Sequence, residues 1–307
     1  MEHVTLNNAR ANESHESLLS NGRVQPSVVL NNGVKMPMIG FGVFQMNDQK
    51  VCQQAVETAI EVGYRSIDTA ASYMNEEAVG AAVRASGVKR EEMFVTTKLW
   101  VQDHEYDDTL RAFDTSMAKL GLDYLDLWLI HKPYGNYYAA WRAMERLHKE
   151  GRIRAIGVTS FSNDRLLDLT LHNEIRPAVN QIETHPFFVQ EAANQFMKKE
   201  DIQHEAWAPF AEGHNDIFRN PVLSEIAKAH GKTVGQVILR WHLQRGVVVI
   251  PKTVHRERMV ENISVFDFAL NAGEMARISA LDKNRSEAYD DQDPENTRWI
   301  GTTKIHE

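Results

Sequence analysis

The chain has one cysteine, no long apolar run and no excess of basic charge, and each shortage removes a class of protein. Cys52 has no second thiol to pair with, so an intrachain disulfide framework is excluded and the composition fits a reducing compartment. Its place in the stripe Val51, Ala55, Ala59 marks it as a packed core thiol rather than a nucleophile. The longest apolar runs, Leu127 to Ile130 and Val247 to Ile250, are far shorter than the roughly 18 to 20 residues that span a bilayer, so no membrane association is expected. With 34 Lys and Arg against 42 Asp and Glu the formal net charge is −8, the wrong sign for a surface that binds nucleic acid. No basic and apolar leader with a small-residue cleavage site opens the chain, and a cytoplasmic location is expected.

What is present is length enough, 307 residues with 43% hydrophobic, to bury a sizeable core. Residues 1–27 are polar and aperiodic and predict a disordered extension. Val28 to Leu30 and Val34 to Met36 flank Asn31-Asn32-Gly33 and predict a β-hairpin. From there eight short apolar segments predict strands: Ile39 to Val43, Ser66 to Asp68, Phe94 to Lys98, Leu125 to Ile130, Ala155 to Thr159, Val179 to Ile182, Glu205 to Ala208 and Val247 to Ile250. Stretches of helical period separate them, several followed by a glycine where a helix should stop, such as Gly63, Gly121 and Gly231. Regular β/α alternation with apolar strands predicts an α/β fold, a (β/α)₈ TIM barrel plugged by the N-terminal β-hairpin. Residues 28–307 are expected to form that single barrel domain, ending in a polar C-terminal loop from Leu281 through Pro294.

Chemistry in such a barrel sits at the C-terminal strand ends. Here the second strand ends at Asp68 with Tyr73 in the loop beyond, the third at Lys98 and the fourth at His131. A carboxylate, an ammonium, an imidazole and a phenol would thus share one rim. A phenol with a pKa near 10 is a weak donor, but an adjacent Lys98 should lower that value by favouring the phenolate, with Asp68 holding the lysine as its ion-pair partner. His131 would hydrogen-bond and orient a carbonyl oxygen. Together these groups suit polarising a C=O and protonating it. None of the four supplies electrons, so a reduction requires a cofactor. The familiar phosphate motifs fail: Gly40-Phe41-Gly42-Val43-Phe44-Gln45 lacks the third glycine of the dinucleotide fingerprint, and Gly231-Lys232-Thr233 lacks the first glycine of a P-loop. Pro251-Lys252-Thr253 with Arg258, just beyond the eighth strand, is the better phosphate candidate.

Over most of its length the sequence resembles the aldo-keto reductase superfamily. The residues that carry the likeness are Gly63-Tyr64-Arg65-Ser66-Ile67-Asp68-Thr69-Ala70-Ala71-Ser72-Tyr73, Thr97-Lys98-Leu99-Trp100, Asp126 to His131, Asn180-Gln181-Ile182-Glu183 and Ile250-Pro251-Lys252-Thr253. Ala206-Trp207-Ala208-Pro209 and Arg298-Trp299 look closest to bacterial 2,5-diketogluconate and glyoxal reductases. The resemblance implies an NADPH-dependent reductase of aldehydes and ketones with Asp68, Tyr73, Lys98 and His131 as catalytic tetrad and Tyr73 as proton donor. It also implies that Thr159, Ser160 and Gln181 hold the nicotinamide carboxamide and that Trp207 stacks on its ring. Lys252, Thr253 and Arg258 would take the 2′-phosphate, and Glu261 and Asn262 the adenine. Asp216 and the loop Pro209 to Gly213 fall where the pyrophosphate would lie. Phe44, Trp100, Val101 and Trp299 are the expected substrate walls, whereas Glu183 and His185 are expected to be structural. Thr159-Ser160 stands where the family usually has Ser-Asn, which removes an amide from the nicotinamide site. The expected ligands are NADPH and a small-molecule carbonyl compound, with no metal, and the expected state is a monomer or weak homo-oligomer. Two other readings compete: a nicotinamide-sensing regulatory subunit on the same barrel, and a metal-dependent hydrolase using Asp68, His131 and Glu183.

Overall fold

The computed structural model describes residues 25–288, 290 and 293–307. Eight parallel strands follow one another in chain order: β3 (Phe41–Gly42), β4 (Ser66–Asp68), β5 (Phe94–Leu99), β6 (Leu125–Ile130), β7 (Ile153–Thr159), β8 (Val179–Glu183), β9 (Gln203–Trp207) and β10 (Val248–Val249). The ring closes where Ile39 bridges Val249 in parallel, with Gly40 N donating to Val249 O at 2.8 Å. Every residue of β5, β6 and β8 is buried, as strands covered on both faces must be. Along β6 the pleat sorts the side chains: Leu127 and Leu129 join the inner core, while Trp128 and Ile130 pack with the surrounding helices.

The hairpin of β1 (Ser27–Val29) and β2 (Lys35–Pro37) closes the other end of the barrel. Leu30, Met36 and Met38 meet Phe94, Leu127, Ala155, Val179 and Val248 from the ring. Side-chain amides fix it there: Asn31 donates to Pro177 O and Asp201 O, and Asn32 to Arg154 O, all at 2.9 Å. Most of the expected extension, residues 1–24, lies outside the described residues. Its expected boundary moves, because Gln25 Nε2 donates to Ile39 O at 2.6 Å, Pro26 O accepts from Met38 N and Ser27 pairs with Pro37.

Two other differences lie late in the chain. After the helix Pro221–His230, which its periodicity predicts, a second helix, Val234–Gln244, stands before β10, opened by a reciprocal capping box between Thr233 and Gln236. Beyond the expected C-terminal loop, Pro294–Thr302 is helical, with the Asp293 side chain accepting from Glu295 N and Pro294 at the first helical position. That helix brings Ile300 against Trp100, Val101 and Tyr134.

The helix Glu76–Ala85 lies so close to the end of the helix Tyr106–Leu120 that a Cβ on Gly80 would overlap the Leu120 carbonyl. In an isolated helix Gly→Ala stabilises by about 1 kcal/mol. Here the backbone contact reverses the sign. Gly80→Ala should lower unfolding stability by about 1–3 kcal/mol in a urea titration, and a stabilised variant would contradict this packing.

Candidate active site

The pairing of Asp68 with Thr96 across β4 and β5 puts Lys98 one pleat further along the strand, on the same inner side. Its side chain is wholly buried and ion-pairs with Asp68, while Nζ also donates to Thr69 O at 3.0 Å. Tyr73 reaches the same nitrogen from the short helical turn Ala71–Tyr73, its Oη 3.5 Å from Lys98 Nζ. The turn is held down because Thr69 Oγ1 donates to Asn75 Oδ1 at 2.6 Å and Asn75 Nδ2 donates to Val43 O at 3.0 Å. His131 follows β6, and its ring packs edge-on to Tyr73 and Trp100 at 5.5 and 5.3 Å between centroids. Its Nδ1 meets Ser72 Oγ at 3.2 Å. The four residues expected as a tetrad therefore do converge at one end of the barrel.

Their electrostatics depart from expectation at one point. Lys98 does pull the Tyr73 phenol downwards, but burial is the larger influence and Asp68 adds to it, so the phenol ends above its usual range. The resting side chain is a neutral acid. Asp68 and the phenol together outweigh burial at Lys98 and hold its pKa up, so it stays an ammonium. Burial, with Lys98 and Lys132 nearby, drives His131 well below the ordinary histidine range and keeps it neutral.

A cavity of about 1000 Å³ runs from this cluster across the top of the barrel. Its walls include the aromatic residues Phe44, Trp100 and Trp299, the polar and loop residues Thr159, Ser160, Gln181, Trp207, Pro209, Phe210, Glu212 and Gly213, and the group Lys252, Thr253, Arg258, Glu261 and Asn262 that follows β10. Lys98 lies beneath this surface rather than on it, and Asp216, expected beside a pyrophosphate, is exposed and does not line the cavity. Val101 corrects the expectation: it packs with Trp100, Tyr134 and Ile300, and the wall it was expected to form is made by Ile300, Thr303 and Ile305. Trp100 is fixed by donating Nε1–H to Thr303 O at 2.7 Å. Glu183 and His185 pair at 2.9 Å, and Glu183 also accepts from Ser286 Oγ and from Glu287 N at 2.9 Å, anchoring the C-terminal segment.

The polar middle is partly committed already. Thr159 Oγ1 donates to the His131 carbonyl, so its lone pairs are what remain for a ligand. Gln181 Nε2 donates to both Asp68 Oδ2 at 3.0 Å and Glu205 Oε2 at 2.9 Å, which uses both amide hydrogens and leaves Oε1 as an acceptor. Ser160 holds φ +59° and its Oγ accepts from Lys132 Nζ at 3.4 Å. Lys132 thus brings a cationic donor to the corner where Ser160 lacks an amide.

Sequence reasoning missed further residues of the site, among them Ser72, Lys132, Glu205, Ile300, Thr303 and Ile305. Ser72 and Lys132 adjoin expected residues in sequence and could have been found by that alone. Burial among the barrel strands, with Asp68 nearby, pushes the Glu205 carboxyl up to about 8. On the cavity wall Lys252 and Arg258 are exposed and make no ion pair among the described residues, whereas Arg256, between them in sequence, pairs with Glu61 at 2.8 Å. Among the described residues no group of His, Cys, Asp and Glu converges to hold a metal ion, and no helix is long and apolar enough to cross a membrane.

The Aldo/keto reductase family model matches residues 38–283. The chain is 48% identical over 262 residues to glyoxal reductase of Bacillus subtilis (strain 168), covering 85% of this chain and 94% of that one. It is 43% identical over 264 residues to methylglyoxal reductase DkgA of Escherichia coli (strain K12), covering 85% and 95%. The crystal structure of a Bombyx mori aldo-keto reductase in complex with NADP superposes with a TM-score of 0.83 at 35% identity, covering 90% of this chain and 97% of that one. With one family model spanning most of its length and relatives matched nearly end to end, the chain belongs to the aldo/keto reductase family of oxidoreductases.

Proposed function

We propose that this protein reduces small aldehydes and ketones with NADPH, Tyr73 giving the proton. The observation that carries the reading is one cavity lined both by the phenol and imidazole that flank the Lys98 ammonium and by two cations, Lys252 and Arg258, that make no ion pair among the described residues. The relatives named for glyoxal and methylglyoxal reduction, and the one solved with NADP, support it.

The residues fit that cofactor. Lys252 and Arg258 supply a point charge and a planar fork for a 2′-phosphate, with Thr253 between them in sequence and the helix Arg256–Ile263 starting beside it. Glu261 and Asn262 would line the adenine. Trp207 offers a ring face to the nicotinamide, and Gln181 Oε1, Thr159 and Ser160 offer polar contacts to its carboxamide. The hydride would come from the bound reduced nicotinamide.

The protein would supply the rest. With Ser72 Oγ as donor to Nδ1, the neutral His131 ring would carry its proton on Nε2, the tautomer able to donate to a carbonyl oxygen and orient it. Tyr73 stays protonated until the substrate oxygen gains electron density. It then gives up its proton, and the Lys98 ammonium stabilises the phenolate left behind. In alcohol oxidation the same phenolate takes the proton back. Trp100 and Phe44 would exclude water from the reacting carbonyl, with Trp299 at the rim.

Tyr73→Phe should cut the rate of carbonyl reduction by about 10²- to 10⁴-fold, followed as loss of NADPH absorbance, and leave the NADPH dissociation constant nearly unchanged. Turnover within about tenfold of wild type would remove Tyr73 as the donor. Arg258→Ala should weaken NADPH binding by about 10- to 100-fold in a fluorescence titration and leave NADH binding as it was, since one charge-assisted hydrogen bond is worth about 1.5–3 kcal/mol. Equal weakening of both cofactors would move the 2′-phosphate site elsewhere.

A further inference from the structure

Glu205 is a buried acid for which the proposed reaction has no use. It lies in β9 with 1% of its surface exposed, and its Oε2 and Asp68 Oδ2 both accept from Gln181 Nε2 at 2.9 and 3.0 Å. The two carboxylate oxygens are therefore within about 6 Å of each other across a single neutral amide. The charged groups acting on Glu205 are Asp68 from β4 and Lys98 from β5. Val248, its partner in β10, brings no charge. One ammonium thus serves two carboxyl groups and the Tyr73 phenol in a space without bulk water.

We propose that Glu205 is a positioning residue for proton transfer: through the Gln181 amide it fixes Asp68 against Lys98 and, by holding or releasing one proton, sets the charge against which Tyr73 ionises. This rests on the reading of Tyr73 as proton donor. With Glu205 neutral, Asp68 and Lys98 balance, and the cluster gains one negative charge when Tyr73 gives up its proton. With Glu205 ionised, the cluster is already negative, and Lys98 is shared among three anionic oxygens when the phenolate forms. Like charge at this range disfavours the second ionisation. Protonated Glu205 therefore favours carbonyl reduction, and ionised Glu205 favours alcohol oxidation, in which Tyr73 regains its proton.

The sign follows from the carboxyl held up at about 8: it is protonated below that pH and ionised above it. Reduction by the wild-type enzyme should fall between about pH 7 and pH 9, well below any ionisation of the Tyr73 phenol. Glu205→Gln keeps an acceptor for Gln181 and cannot ionise. Its ratio of reduction rates at about pH 9 to about pH 6 should exceed the wild-type ratio by about tenfold, with NADPH held saturating. Parallel pH profiles for the two proteins would assign Glu205 a structural role only and overturn the proposal.

Isotope-edited infrared spectroscopy of the wild-type protein, with the Glu205→Gln spectrum subtracted so that the buried Glu76 carboxyl, also pushed up, drops out, reads the proton without turnover. A protonated carboxyl band should be present at about pH 6 and disappear through about pH 8; its absence at about pH 6 would also overturn the proposal. If the wild-type protein reduces no carbonyl compound at any pH, it is the assigned reaction that fails, and the proposal with it. The infrared titration still shows whether Glu205 carries the proton.

Discussion

The ion pair between Lys98 and Asp68, both out of contact with water, is the constraint on which the top of the barrel depends. Removing either ion from solvent costs several kcal/mol, and the attraction between them offsets this only when the remaining donors and acceptors are also satisfied. The surrounding structure meets that requirement one atom at a time: Thr69 O accepts from Lys98 Nζ, the Gln181 amide donates to the second Asp68 oxygen, and the Tyr73 phenol closes the remaining side of the ammonium. Three strands and a loop must be in register for these contacts to exist. The parallel pairing of β4 with β5 and the chain of β-pairs from β5 to β8 set that register.

The same constraint explains why a buried phenol can act as an acid. Burial alone would make Tyr73 inert, because the phenolate would be left without solvation. An ammonium at 3.5 Å, kept charged by Asp68, is the group that would take the place of the missing water in the proposed proton transfer. The expectation that Lys98 lowers the resting pKa of Tyr73 identified a real influence and misjudged its rank. The cation stabilises the ionised product without populating it beforehand, which suits a group that must be protonated when the substrate arrives.

The barrel strands were legible in the sequence because burial on both faces leaves short apolar segments with little ambiguity, and the residues at their C-terminal ends stood out as polar exceptions. The late helices were not. Val234–Gln244 follows another helix without an intervening strand, which breaks the alternation, and Pro294–Thr302 is short and mostly polar. Val101 was misassigned for a related reason: sequence adjacency to Trp100 says nothing about which face meets the cavity, and the segment that displaces it, residues 300–305, comes from some 200 positions further on. Glu205 escaped notice because it lies two residues inside the end of its strand. Only the structure brings it to Gln181, and through Gln181 to Asp68.

Charge is distributed against the overall balance of the chain. The protein carries a formal net charge of −8, yet its cavity presents Lys252 and Arg258 without an ion pair among the described residues, whereas Arg256 between them in sequence is bound to Glu61. Net charge acts over distances that salt screens within about 10 Å, whereas a phosphate is held by donors in contact with it. An acidic surface therefore repels extended polyanions and leaves a single phosphate group free to be captured locally. The aromatic walls of the cavity differ in exposure: Trp100 is buried and hydrogen-bonded, while Phe44 and Trp299 are 47% and 65% exposed. On the proposed reading the buried part of the site would meet the carbonyl group itself, and the exposed aromatic rim would meet whatever the carbonyl is attached to, an arrangement that would tolerate varied substituents.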